Sequence, residues 1–144
     1  MLITVSLLVL AYLVMGKDVQ PLIDKVKNVD WRAKIIALMD KLRPWALRVG
    51  RATARPILQF YYVMEDENTS TLERVMIYGA IIYTIMPIGM ASRPLLRIVG
   101  VLGDGVAILF VYNKIKHKIT PKIRAKVEDR LNEWFGVEYE MVTK

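Results

Sequence analysis

The chain has no cysteine and a single histidine, His117. Without thiols there is no disulfide and no thiolate zinc site, and a transition-metal centre would have to rest mainly on carboxylates. The same scarcity removes any Cys–His nucleophile pair and leaves His117 as the one base for a Ser–His–Asp arrangement. His117 sits in Lys114-Ile-Lys-His-Lys118, which reads as a solvated basic helix end and not as the setting of a catalytic base. Paired carboxylates at catalytic spacing, a phosphate-binding glycine loop and a nucleophile motif are also missing, so a non-enzymatic role with no cofactor and no metal is expected. No strand-like alternation and no internal repeat interrupts a helical reading.

What the chain does have is apolar surface and positive charge. Its 144 residues suit one small domain, 54% are hydrophobic, and the mean hydropathy is +0.31. Lysine and arginine number 21 against 14 acids, for a net charge of +7. That pairing of properties reads as a membrane protein whose polar parts face anionic headgroups. A basic module that binds anionic lipid or nucleic acid is the alternative.

Two apolar runs dominate the second half. Val75 to Ala91 carries no charge, and Ile98 to Tyr112 has Asp104 as its only one. A helix apolar on every side needs a large protein, a partner or lipid around it. A chain this short is expected to be unable to wrap both runs by itself, so they read as a helical hairpin. Gly79, Gly100, Gly103 and Ala107 would let another helix approach closely. Residues 1–15 form a third uncharged segment, stopped by Gly16, Lys17 and Asp18. It has neither the basic leader nor the cleavage site of a secretory signal, so its removal is not expected. It is shorter than the roughly 20 residues that cross a bilayer untilted, and reads as an anchor that enters lipid or packs on the hairpin.

Residues 17–55 hold ten cations against Asp18, Asp24, Asp30 and Asp40. Trp31, Ile35, Leu38, Leu42, Trp45 and Val49 step by 4, 3, 4, 3, 4, a single heptad stripe. Asp30 is placed to cap this helix, and Pro44 predicts a kink or a restart within it. Such a helix can lie flat on a membrane or pack its stripe on another helix, and the interleaved aspartates favour packing. Pro56 predicts a second kink, and Phe60, Tyr61 and Tyr62 suit either a headgroup belt or a core. The acidic loop Glu65-Asp66-Glu67 lacks calcium-loop spacing. Ser70 and Glu73 match a capping box, which starts a helix over about 71–86. Asp104 is placed to cap a helix over about 105–118, and Pro94 to begin a short segment before it. Thr120-Pro121 opens a last helix with Ile123, Val127, Leu131 and Trp134 on one face, stopped by Gly136.

The fold class is therefore all-α. An N-terminal apolar helix (1–16) and basic amphipathic helices (17–55) precede an apolar hairpin with a C-terminal amphipathic helix (56–136) and a tail (137–144). Tyr61-Tyr-Val-Met-Glu-Asp66, Tyr83-Thr-Ile-Met-Pro-Ile88 and Gly100-Val-Leu-Gly-Asp104-Gly-Val-Ala-Ile-Leu109 resemble the YkvA-like family of small bacterial helical domains, whose function is unknown. The resemblance covers about residues 56–136. Pro87 matches the family's first proline, but Gly89, Ser92, Arg93 and Gly103 stand where its acidic and proline residues are expected, leaving only Asp104. It implies a divergent member that keeps the hairpin as architecture. Lysine and arginine at 17–55 and 114–130 outweigh Arg93 and Arg97 at the far turn. The expected setting is thus the bacterial inner membrane with the basic helices cytoplasmic. The role that follows is a structural or accessory subunit with lipid and a protein partner or further copies of itself. Lys25, Lys27, Arg48, Arg51, Arg55, Lys114, Lys116 and Lys118 are the candidate lipid or phosphate contacts.

Overall fold

The computed structural model describes residues 2–85 and 106–136, and all of their regular structure is helical. Seven α-helices occur among the described residues: α1 (Leu2–Val14), α2 (Gln20–Asp24), α3 (Trp31–Val49), α4 (Arg51–Glu65), α5 (Thr71–Ile85), α6 (Val106–Ile115) and α7 (Pro121–Phe135). A 3₁₀ turn, Lys116–Lys118, closes α6. The expected hairpin helices thus lie within a residue or so of α5 and of α6 with its closing turn. Gly100, Gly103, Asp104 and the segment begun by Pro94 fall outside the described residues, as does the tail.

Local chemistry sets the helix ends. The Asp30 side chain accepts the Ala33 N–H at 3.3 Å, so the first turn of α3 is capped. At α5 the capping box is complete: the Glu73 N–H donates to Ser70 Oγ at 3.1 Å and the Ser70 N–H to Glu73 Oε1 at 2.9 Å. Thr120 Oγ1 accepts from the Ile123 N–H at 3.2 Å, with Pro121 at the first helical position. Gly50 separates α3 from α4 at φ 94°, a conformation that a side chain disfavours.

The restart expected as one outcome at Pro44 does not occur. Pro44 lies inside α3 and Pro56 inside α4, and neither helix stops or restarts there. Each proline removes one N–H from the ladder, but both residues are exposed, so water can reach the freed carbonyls. On the opposite side of α3, Ile35, Leu38, Leu42 and Trp45 are buried and hold the helix through the defect. α4 likewise runs through the expected boundary between residues 55 and 56.

The core is built around α5. Every residue from Val75 to Ile82 is buried, so this helix is covered on all sides. α1, α4 and α6 pack along it and α2 touches it. The expectation that the chain cannot wrap its own apolar run is therefore corrected for α5: α1 is the missing cover, packed on protein. Among the described residues, no helix is long and apolar enough to cross a membrane. Phe60, Tyr61 and Tyr62 are buried in this core, which removes them from a headgroup belt. Trp31 meets Tyr78 edge to face at 6.1 Å, and the Tyr61 hydroxyl donates to the Ile35 carbonyl at 3.1 Å. Burial pushes the Tyr61 pKa up to about 12, keeping it a donor.

The closest approach joins α1 to α5 at Gly79. A Cβ built there would lie 2.6 Å from the Ser6 carbonyl oxygen and 3.0 Å from its carbonyl carbon, both backbone atoms. Gly79→Ala gains up to about 1 kcal/mol of helix propensity but must push two helices apart, which costs about 1–3 kcal/mol. Net destabilisation is the expected outcome, read as a lower urea midpoint, with Gly79→Val falling further. A raised midpoint for Gly79→Ala would show that the helices are not in contact there.

Candidate functional site

The basic residues divide into two populations. Arg51 and Arg55 on α4 and Arg130 on α7 are partly buried and engaged within the protein. Arg55 makes a bidentate pair with Glu128, at 2.8 Å to Oε2 and 3.1 Å to Oε1. Arg51 donates to the Gly136 carbonyl at 2.9 Å and to Asn132 Oδ1, tying α4 to the C-terminal end of α7. Cationic groups are favoured there because the last carbonyls of a helix carry partial negative charge. Arg130 donates to the Tyr62 hydroxyl at 3.2 Å and pairs with Glu133. Arg55 is expected to be a phosphate contact from the sequence, but its charge is matched by Glu128. Arg51 is correspondingly reassigned to fastening α7.

Lys118 belongs to the same population. Its Nζ lies 2.7 Å from Glu73 Oε1 and 3.3 Å from the Asn68 carbonyl. Arg74 completes this junction, donating to the Met64 carbonyl at 3.1 Å and the Asp66 carbonyl at 2.9 Å. Burial raises the pKa of Glu73, but hydrogen bonds from Lys118 and Ser70 outweigh it and hold the carboxyl below its ordinary range. The Arg55 hydrogen bond does the same for Glu128. The junction places the last turn of α6 beside the first turn of α5, so the two helices run antiparallel. One end of the pair is polar. At the other end, Ile85 and Val106 flank the connection 86–105.

The second population is solvated. Lys25, Lys27, Arg48, Lys114 and Lys116 are exposed, as the sequence suggests for phosphate or headgroup contacts. Lys114 stands on α6 and Lys116 in its closing turn, and the inner face of α6 buries Ala107, Val111 and Ile115. Its outer face has a graded composition. Leu109 is 65% exposed and Tyr112 41%, followed by exposed Asn113 and, in the closing turn, Lys116, while exposed Lys114 stands on the flank next to Ala107. Lys114 Nζ lies over the Phe110 ring, 5.4 Å from its centroid. Leu109 and Lys116 are about 10 Å apart along the helix axis. Apolar, aromatic and cationic groups thus follow one another toward the polar end of the hairpin. Sequence periodicity missed this face, because the whole run reads as apolar until α6's inner stripe is known.

Of the candidate helix-packing residues, Gly79 and Ala107 are both buried in the helical core. Beside the α4–α5 loop, a polar cleft of about 370 Å³ is lined by Tyr62, Glu65, Asn68, Lys122 and Lys126, among others. Among the described residues, no group of three or more His, Asp or Glu side chains could hold a metal ion. No family model, no curated protein and no solved structure matches this chain.

The two depressed carboxyl groups set a pH dependence. A folded-state pKa below the unfolded one contributes stability that is present above the unfolded value and lost as pH falls through the folded value. The Glu73→Gln, Glu128→Gln double variant is therefore expected to show a shallower loss of thermal midpoint below about pH 4 than the parent chain. Parallel curves for the two proteins would mean that these pairs do not form in solution.

Proposed function

We propose that the chain is a non-enzymatic, membrane-associated helical protein that serves as a structural or accessory subunit of a larger assembly. It is held at an anionic membrane surface by the outer face of α6. The observation that carries this reading is the order of exposed groups from that face into the closing turn, Leu109 then Tyr112 then Lys116, with exposed Lys114 on the flank. An apolar tip, an aromatic level and a cationic level match the order of acyl chain, interface and headgroup phosphate across a bilayer surface. A depth of about 10 Å suits partial insertion, which needs no spanning helix. The bacterial inner membrane and a divergent YkvA-like ancestry are part of the proposal and rest on the sequence resemblance. The alternative basic-module reading loses three of its eight contacts, Arg51, Arg55 and Lys118, to partners within the chain.

Flotation with phosphatidylglycerol-containing vesicles tests the proposal. The wild-type chain is expected to float with the vesicles. Leu109→Glu with Tyr112→Glu should lower the partition coefficient about tenfold or more, since two exposed apolar groups lose their transfer free energy. A nitroxide on Leu109→Cys, the only thiol in the chain, should become accessible to oxygen and shielded from a polar quencher. Equal flotation of wild type and double variant, or no flotation at low salt, would overturn it.

A further inference from the structure

α3 carries a second seam, on the side away from the core. Its inner stripe is buried against α4 and α7. On the outer side Ala33, Ala37, Asp40, Pro44 and Leu47 step by 4, 3, 4, 3, the spacing of a coiled-coil contact line. All five are exposed, as is neighbouring Ile36; Ile36 is 61% exposed and Leu47 46%. Lys34, Lys41 and Arg48 recur every seven residues along one flank of this line, and Arg43 stands on the other. All four are exposed, and none makes an ion pair with another described residue. This sets them apart from Arg55 and Lys118, whose charges are matched within the fold. Beside the Arg43 flank a groove of about 420 Å³ opens between α3 and α7, lined by Met39, Leu47 and Trp134 among others.

We infer that this outer face of α3 docks an acidic amphipathic helix of a protein partner. Apolar side chains of that helix would lie along the seam, with one entering the groove at Trp134, and its flanking carboxylates would meet Lys34, Lys41 and Arg48. Charge decides between the possible occupants. A second copy would bring the same four cations against these and be repelled. An anionic membrane suits the cations, but Asp40 stands in the middle of the apolar line and would be pressed toward lipid. A partner helix can instead answer Asp40 with a donor, which fixes the register of the pair. The inference rests on the accessory-subunit reading and identifies the chemistry of the partner, through a surface separate from α6.

The probe is a synthetic peptide helix of about three heptads with Leu at the contact positions and Glu on both flanks, alongside a twin with Lys on both flanks. Fluorescence anisotropy should show that the full chain binds the Glu peptide, more weakly as salt rises, and not the Lys peptide. The Lys34→Glu, Lys41→Glu, Arg48→Glu variant should lose about tenfold or more for the Glu peptide and gain binding to the Lys peptide. Leu47→Asp should weaken both pairings. All four positions are exposed, so an unchanged thermal midpoint verifies folding, and the gained Lys-peptide binding could not come from a damaged protein. Three results would overturn the inference. One is absence of charge-dependent peptide binding. Another is vesicle affinity that falls in the triple variant while peptide affinity does not, which would make α3 a lipid face. The last is a wild-type dimer abolished by Leu47→Asp, which would make a second copy the occupant. Peptide exchange that holds while wild-type flotation fails would remove the membrane proposal and leave the docking face standing; the reverse pattern removes only the docking face.

Discussion

The contact between Gly79 and the Ser6 carbonyl is the constraint on which the rest of the fold depends. From Val75 to Ile82 α5 is apolar around its whole circumference, and its chain neighbours α4 and α6, with a touch from α2, cover part of it. The remaining side needs a helix with no charge to hide, and α1 has none among its 13 residues. Two backbones can come that close only where one of them lacks a Cβ. Of the two roles open to the N-terminal segment, entering lipid or packing on the hairpin, the approach shows α1 packed against α5.

The second organising feature is how the positive charge is divided. Between α4 and α7, and at the α5–α6 junction, cations are paired with Glu128, Glu133 and Glu73 or donate to helix carbonyls. Such groups fasten helices together and have little charge left to offer a ligand. On α3 and α6 the cations project into solvent beside exposed apolar side chains. That combination costs solubility and gives no internal contact in return, which is why both surfaces are read as functional. They differ in pattern: the α6 face is graded along the helix axis, as suits a planar interface. The α3 face is flanked along its length, as suits another helix.

How far a sequence can be read depends on the range of the interaction. Asp30, the Ser70–Glu73 box, Thr120-Pro121 and Gly136 were legible because a cap joins groups a few residues apart. The stripes of α3 and α7 were legible because helical period alone sorts inside from outside, although Val49, read as the last member of the α3 stripe, is exposed. A restart was offered at Pro44 because its local cost is visible in the sequence, whereas the burial of Leu42 and Trp45 that holds the helix together is a tertiary property. Arg51 and Arg55 were taken for ligand contacts because their partners Asn132 and Glu128 lie 81 and 73 residues away.

By itself, then, the amino-acid order determined the all-helical class, most helix boundaries and the inner faces of α3 and α7, all of which follow from short-range hydrogen bonding and periodicity. Only the tertiary structure decided which apolar helix lies inside, which cations are neutralised and which faces remain open. Those outcomes depend on which helices meet, and a chain read in order contains no record of that pairing except in features as small as the absent side chain at Gly79.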